Sequence, residues 1–191
     1  RNNSELVAIF GNFVNRTWVL MHKLCKGKVP RLHEDKMDDT DRQMLAEFPI
    51  TKTKVEESIE HYKFREALFE VIDLARKGNK FLQEKEPWIL AKNLASNPQN
   101  QEGIDNCLHI CLQLCANLSI LINPFLPFTA KKLLHLMKVV EKMLDWENAG
   151  KTKLLSEGYS LREPQLLFRK IEDEEVAAQV EKLQAGIKKF T

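Results

Sequence analysis

A chain of 191 residues with 29 basic and 27 acidic side chains carries a formal charge of +2. No global field then draws it to a nucleic-acid backbone or an anionic membrane, and any basic surface must be local. Seven Gly and seven Pro against abundant Leu, Lys, Glu and Ala exclude a collagenous, disordered or strand-dominated chain, and the length suits one core, so a single domain over residues 1–191 is the default.

The segment from Asn2 to Lys26 reads as a first helix. Asn2, Asn3 and Ser4 offer N-caps, Glu5 lies where the helix dipole favours an acid, and Leu6, Phe10, Phe13, Val14, Met21 and Leu24 recur at helical spacing. Lys23 and Lys26 fall in its last turn, Gly27 suits a left-handed cap, and Pro30 blocks continuation. Residues 28–37 read as a loop. Asp38 to Thr40 can cap a short helix that Pro49 is expected to interrupt. A helical period then runs through Val55, Ile59 and Tyr62, breaks near Tyr62 to Phe64, and continues through Val71 and Ala75 to Glu86, where Pro87 ends it.

Asn97-Pro98-Gln99-Asn100 is a turn, and Gly103 to Ile122, the most apolar stretch, is expected to be a central helix. No window reaches the roughly 18 consecutive apolar residues of a transmembrane segment, and the start shows neither an initiator Met nor a signal pattern. The expectation is an intracellular, cytoplasmic fragment with no membrane partner. Cys107, Cys111 and Cys115 share one face of the central helix and read as reduced core thiols, because one straight helix cannot supply a tetrahedron of metal ligands. Pro124 and Pro127 bracket a bend, Thr129 to Val140 resumes a helix, and Asn148 to Pro164 has the composition of a long connection. Leu166 to Ile171 is the one plausible extended piece, before a last helix from about Glu172 to Phe190. The sum is an all-α, antiparallel helix bundle with no repeat of fixed period.

Enzyme signatures are absent: the sequence holds no glycine-rich phosphate loop, H-E-x-x-H or G-x-S-x-G, and its five His are scattered. No catalytic residue and no metal site is therefore expected. Three placements are unusual for a plain bundle. Asn12 and Arg16, four residues apart in the first helix, can offer an amide and a planar guanidinium to one partner, as unpaired base edges require, or simply belong to a solvated face. Trp88 follows Pro87 at a helix corner, a platform on which a base can stack, or else a lid over the core beneath Ile89 and Leu90. Arg76, Lys77, Lys80 and Lys85 lead up to Trp88 and can track a phosphate backbone, although Glu84 and Glu86 share the segment and suit a mixed-charge solvated face equally well.

Several of these segments, taken together, resemble the anticodon-binding domain of class I methionyl-tRNA synthetases. The landmarks are Asn2 to Val7 followed by Gly11-Asn12-Phe13-Val14-Asn15-Arg16, then Tyr62 to Leu68, Gly78-Asn79-Lys80-Phe81 through Glu86-Pro87-Trp88, and Asn123-Pro124-Phe125-Leu126-Pro127-Phe128-Thr129-Ala130. The resemblance implies recognition of the CAU anticodon of methionine tRNA, with one base stacked at Trp88, Pro87 orienting the indole, Asn12 and Arg16 bonding base edges, and Asn79 as a supporting contact. It implies ATP only for the full enzyme and no cofactor in this fragment, since the HIGH-type and KMSKS-type signatures are missing. It also implies that residues 148–191, including Leu166, Leu167 and Phe168, face the absent catalytic domain. A helical protein-interaction module and the equivalent domain of a leucyl, isoleucyl, valyl or cysteinyl enzyme are the alternatives.

Overall fold

The computed structural model describes residues 2–187. The chain winds as a wide π-helix over Asn2–Gly11 and tightens into α1 (Asn12–Cys25), followed by α2 (Asp39–Glu60), α3 (Phe64–Lys85), α4 (Pro87–Lys92), α5 (Asn100–Ile122), α6 (Pro127–Met137) and α7 (Asp173–Ile187). The expected all-α bundle is what forms: among the described residues the only β-pairing is one isolated antiparallel bridge, between Lys28 and Ser160. α2 packs along α3, while α1, α2, α3, α4 and α6 all lie on α5. From Ile104 to Ile122, α5 has buried side chains at every position except Asp105. It has the length and apolar character of a membrane span, yet its apolar window is 94% buried by its own neighbours.

Several expectations yield to packing. The first helix is not uniform, and Asn2 and Asn3 do not cap it. Asn3 instead clamps the backbone of Ile171, donating from Nδ2 to the carbonyl (2.7 Å) and accepting at Oδ1 from the amide (2.9 Å), while Asn2 donates to the Arg169 carbonyl. The left-handed cap after α1 falls on Lys26 as well as Gly27. Pro49 does not interrupt α2: the helix runs through it, Thr53 donates its hydroxyl to the Pro49 carbonyl (3.1 Å), and a left-handed Gly150 packs on the ring side. Burial of Phe48 and Thr51 on either side supplies the packing that carries the helix past the lost hydrogen bond. The break at Tyr62 occurs as expected, with Tyr62 itself left-handed, and Asp38 forms a reciprocal capping box with Asp41. α5 begins three residues earlier than Gly103, α6 starts with Pro127 as its first residue and ends at Met137, and the last residues of the anticipated final helix, 188–190, lie outside the described residues.

The irregular segments are held by polar side chains of α5. Asn106 Oδ1 accepts from the His33 amide (2.7 Å) and its Nδ2 donates to the His33 carbonyl (3.0 Å). His109 donates from Nδ1 to the Pro30 carbonyl (2.8 Å) and accepts at Nε2 from Gln113 (3.2 Å). Gln113 Oε1 receives the amides of Leu154 and Leu155 (2.7 and 3.0 Å), and its Nε2 donates to the Leu155 carbonyl (2.8 Å). Asn117 accepts from Gly150 N and donates to Lys151 O. These four residues make one stripe that stands in for the missing sheet or helix partners of residues 30–33 and 150–155.

The Cys107, Cys111 and Cys115 thiols are buried in the core. A hydrogen bond with Cys111 and then burial push the Cys107 thiol well up, and burial does the same for Cys115. Cys25, half-buried near Asp105, is pushed up to about 12, mainly by burial. Cys25, Cys107 and Cys115 are therefore poor nucleophiles.

Two outcomes follow. Replacing Gln113 by Leu leaves the Leu154 amide and the buried Leu155 amide and carbonyl unpartnered, and at about 1–3 kcal/mol each the loss by chemical denaturation is expected at about 3 kcal/mol or more. Burial also holds the His109 imidazole below its ordinary range. Its contribution is therefore fully present above the unfolded value of about 6.5 and is lost as pH falls through that value toward the lower folded one. Unfolding free energies measured from pH 7.5 to 5.5 should fall more steeply in the parent than in His109→Gln.

Candidate nucleic-acid interface

The geometry begins with Gly78. A Cβ there would lie 2.6 Å from Leu114 Cδ2 and 2.8 Å from Phe13 Cε2, so only glycine lets α3 close onto α1 and α5 at this level. The next residue, Asn79, then reaches across to α1. Its Nδ2 donates to the carbonyls of Ile9 (2.9 Å) and Ala75 (3.2 Å), which fixes the amide, and its Oδ1 accepts from Asn12 Nδ2 (3.1 Å) and Arg16 Nη1 (3.4 Å). One turn further along α3, Gln83 Oε1 accepts from Arg16 Nη2 (3.3 Å).

The indole is placed by the end of α3. Glu86 takes a left-handed conformation (φ 42°, ψ 55°) that a non-glycine residue adopts at a cost of roughly 1–2 kcal/mol. Pro87 is then the buried first residue of α4, where its fixed φ and missing N–H suit a helix start. Trp88 is half-buried: one part packs on the core, and the Arg16 guanidinium carbon lies 5.5 Å from its ring centroid. A cleft of about 320 Å³ opens between it and Asn15, Arg16, Val19 and Leu20. Asn12, Arg16, Asn79, Pro87 and Trp88 thus form one constellation. Gln83 is the member that sequence reasoning passed over, and its helical spacing of four from Asn79 was the available signal.

The basic run does not join them as a free phosphate track. Arg76 pairs with Asp73 (2.6 Å), Lys77 with Glu47 (2.8 Å) and Asp73, and Lys80 with Glu84 (3.5 Å). Lys85 sits 2.8 Å from both Asp38 and the buried Asp41. Burial works against its charge, but those two carboxylates outweigh it and raise the lysine. Asp38 is lowered for the same reason, burial being outweighed by the Lys85 hydrogen bond and its own capping contacts. Trp18 is sealed in the core, and Trp146 donates its indole N–H to Glu56, so both serve packing. Leu167 is buried and Phe168 packs edge-on against Phe10 (6.1 Å), which leaves only Leu166 of that trio exposed, at 72%. Apolar contacts on their own bundle outcompete exposure for those two side chains. Among the described residues no cluster of three or more His, Cys, Asp or Glu is arranged to hold a metal ion.

Comparison with known proteins places the chain. Residues 29–188 match the family described as the anticodon binding domain of methionyl tRNA ligase. The methionine–tRNA ligase of Phocaeicola vulgatus is 46% identical over 185 residues, covering 97% of this chain and 26% of the relative. That of Cytophaga hutchinsonii is 47% identical over 185 residues, covering 96% and 25%. The chain therefore spans about a quarter of the length of these curated relatives. The apo crystal structure of Mycobacterium tuberculosis methionyl-tRNA synthetase superposes with a TM-score of 0.78 at 21% identity, covering 90% of this chain and 34% of that one, a likeness of fold.

The ion pairs of Lys85 generate a test. Lys85→Met leaves Asp41 buried and uncompensated, and breaking one side of such a pair costs about 3–5 kcal/mol. With the solvent-exposed Asp38 as the second partner the lower end is expected, read as a drop in unfolding free energy by urea titration.

Proposed function

The chain belongs to the family of methionyl-tRNA ligase anticodon-binding domains, and we propose that it binds the anticodon loop of methionine tRNA through the α1–α3–α4 corner and reads its CAU bases. The observation that carries this reading is the Arg16–Trp88 contact over an open cleft, locked from behind by Asn79. A base leaving the loop stack finds an indole face already paired with a cation, and base–aromatic stacking is worth about 1–3 kcal/mol. Asn12 keeps its Oδ1 and one N–H for a base edge, since Asn79 occupies a single donor. The Arg16 guanidinium has five N–H donors, and Asn79 and Gln83 take one each, at Nη1 and Nη2. Because both side chains are held before RNA arrives, little rotamer entropy remains to be lost on binding.

The absence of catalytic signatures suits a part whose enzyme carries the chemistry elsewhere: methionine activation with ATP and transfer to tRNA would belong to the remaining length of the polypeptide. That remainder is also the partner proposed for α7, whose Val176, Val180 and Leu183 form an exposed apolar face at helical spacing. Four free cysteines fit a reducing compartment such as the cytoplasm.

Titration of anticodon stem-loop RNA tests the reading. Trp88→Ala is expected to weaken binding of a CAU stem-loop about tenfold or more with far-ultraviolet circular dichroism unchanged. Equal affinity of parent and variant, or equal affinity of the parent for CAU and altered anticodons, would overturn it. Since the basic run is already ion-paired, the logarithmic salt slope should be shallow, with few phosphates neutralised.

A further inference from the structure

The cleft beside Trp88 does not end at Arg16. Asn15 lines it and also lines a second cleft, of about 420 Å³, on its other side. Val7 and Ala8 bound that second cleft from the π-helical turn, Leu166 and Phe168 from the C-terminal strap, and Asn12 and Asn15 from α1. Its walls are stiff where they are apolar, because Phe168 is braced against Phe10 and the Asn3 clamp on Ile171 pins the strap. Leu166 is exposed although its neighbour Leu167 is buried, so the strap turns one aliphatic side chain outward beside this opening.

The polar groups differ in what they have left to give. Asn12 already donates to Asn79, whereas the side-chain amide of the half-buried Asn15 has no hydrogen-bond partner among the described residues. A free amide presents a donor and an acceptor side by side, the pattern complementary to the N6 amino group and adjacent ring nitrogen of adenine. Along α1 the two clefts are about one turn apart, roughly 6 Å from the rise of Asn12 to Arg16. Stacked bases on one strand repeat at about 3.4 Å, so two neighbours reach both clefts only when splayed apart, the state in which proteins read single-stranded bases.

We infer that the second cleft takes the base adjacent to the one stacked on Trp88, an adenine, paired edge-on with the side-chain amide of Asn15 and packed against Leu166. This rests on the anticodon-loop reading above and adds a specificity-determining residue to it.

The test uses this chain and two stem-loops that differ only at the middle anticodon position, adenosine against purine riboside, which lacks the N6 amino group. Asn15→Ala should weaken binding of the adenosine loop about tenfold and leave binding of the purine riboside loop nearly as in the parent, the signature of a lost shared contact. Leu166→Glu, at a position too exposed to matter for folding, should weaken both loops. Asn15→Ala indistinguishable from the parent on adenosine, or equal losses on the two loops, overturns the inference. If Trp88→Ala still costs affinity in that case, the anticodon reading stands without it; a parent that binds neither loop removes both.

Discussion

Four polar side chains on one buried helix carry the architecture. Asn106, His109, Gln113 and Asn117 lie along α5 at spacings of three and four, and each exchanges hydrogen bonds with the backbone of a segment that has no helix or sheet partner of its own. An unpaired buried peptide group costs about 1–3 kcal/mol, so these side chains let the long stretches after α1 and α6 lie on the bundle beside the buried Val29, Leu155 and Leu161. The stripe explains why the most apolar helix of the chain is interrupted by amides and an imidazole at regular intervals. It also joins residues 30–33 to residues 150–155 through one helix.

The candidate interface applies the same device at the surface. Asn79 satisfies two carbonyls with its donors and two α1 side chains with its acceptor, so a single amide converts the approach of α3 to α1 into a fixed orientation of Asn12 and Arg16. That approach depends on the missing Cβ of Gly78. Trp88 is aimed by a different means, backbone strain at Glu86 followed by the constrained φ of Pro87, and the strain is tolerated because Pro87 is buried. The Arg16 guanidinium joins the two halves by resting over the indole. A preorganised corner of this kind spends its ordering entropy on folding rather than on binding.

Charge is used for scaffolding in this chain. The basic residues leading to Trp88 face carboxylates of α2, of α3 and of the α2 cap, and Lys85 closes a buried pair with Asp41. The surface beside the indole is therefore governed by amides and one guanidinium, which read hydrogen-bond patterns, more than by a positive field.

Periodicity and punctuation carried most of the fold in the sequence itself. The helix breaks at Tyr62 and Pro87, the bend at Pro124 to Pro127 and the apolar run ending at Ile122 were legible because proline geometry and the helical repeat act within a few residues. The spacing of Asn12 and Arg16 and the Pro87-Trp88 corner were legible for the same reason. What tertiary structure alone decided was every relation between distant segments. Pro49 stays inside a helix because its neighbours are buried, Asn2 and Asn3 leave their capping role for backbone groups more than 160 residues away, and Lys77 and Lys85 are claimed by carboxylates of α2 and its cap. Asn79 binds α1 and Gln83 joins it only once Gly78 has let two helices touch. Local preferences are worth tenths of a kcal/mol to about one per residue, whereas burying an apolar side chain is worth about 1.5–3 kcal/mol and leaving a buried polar group unpaired costs a similar amount. Where the two disagree, packing prevails.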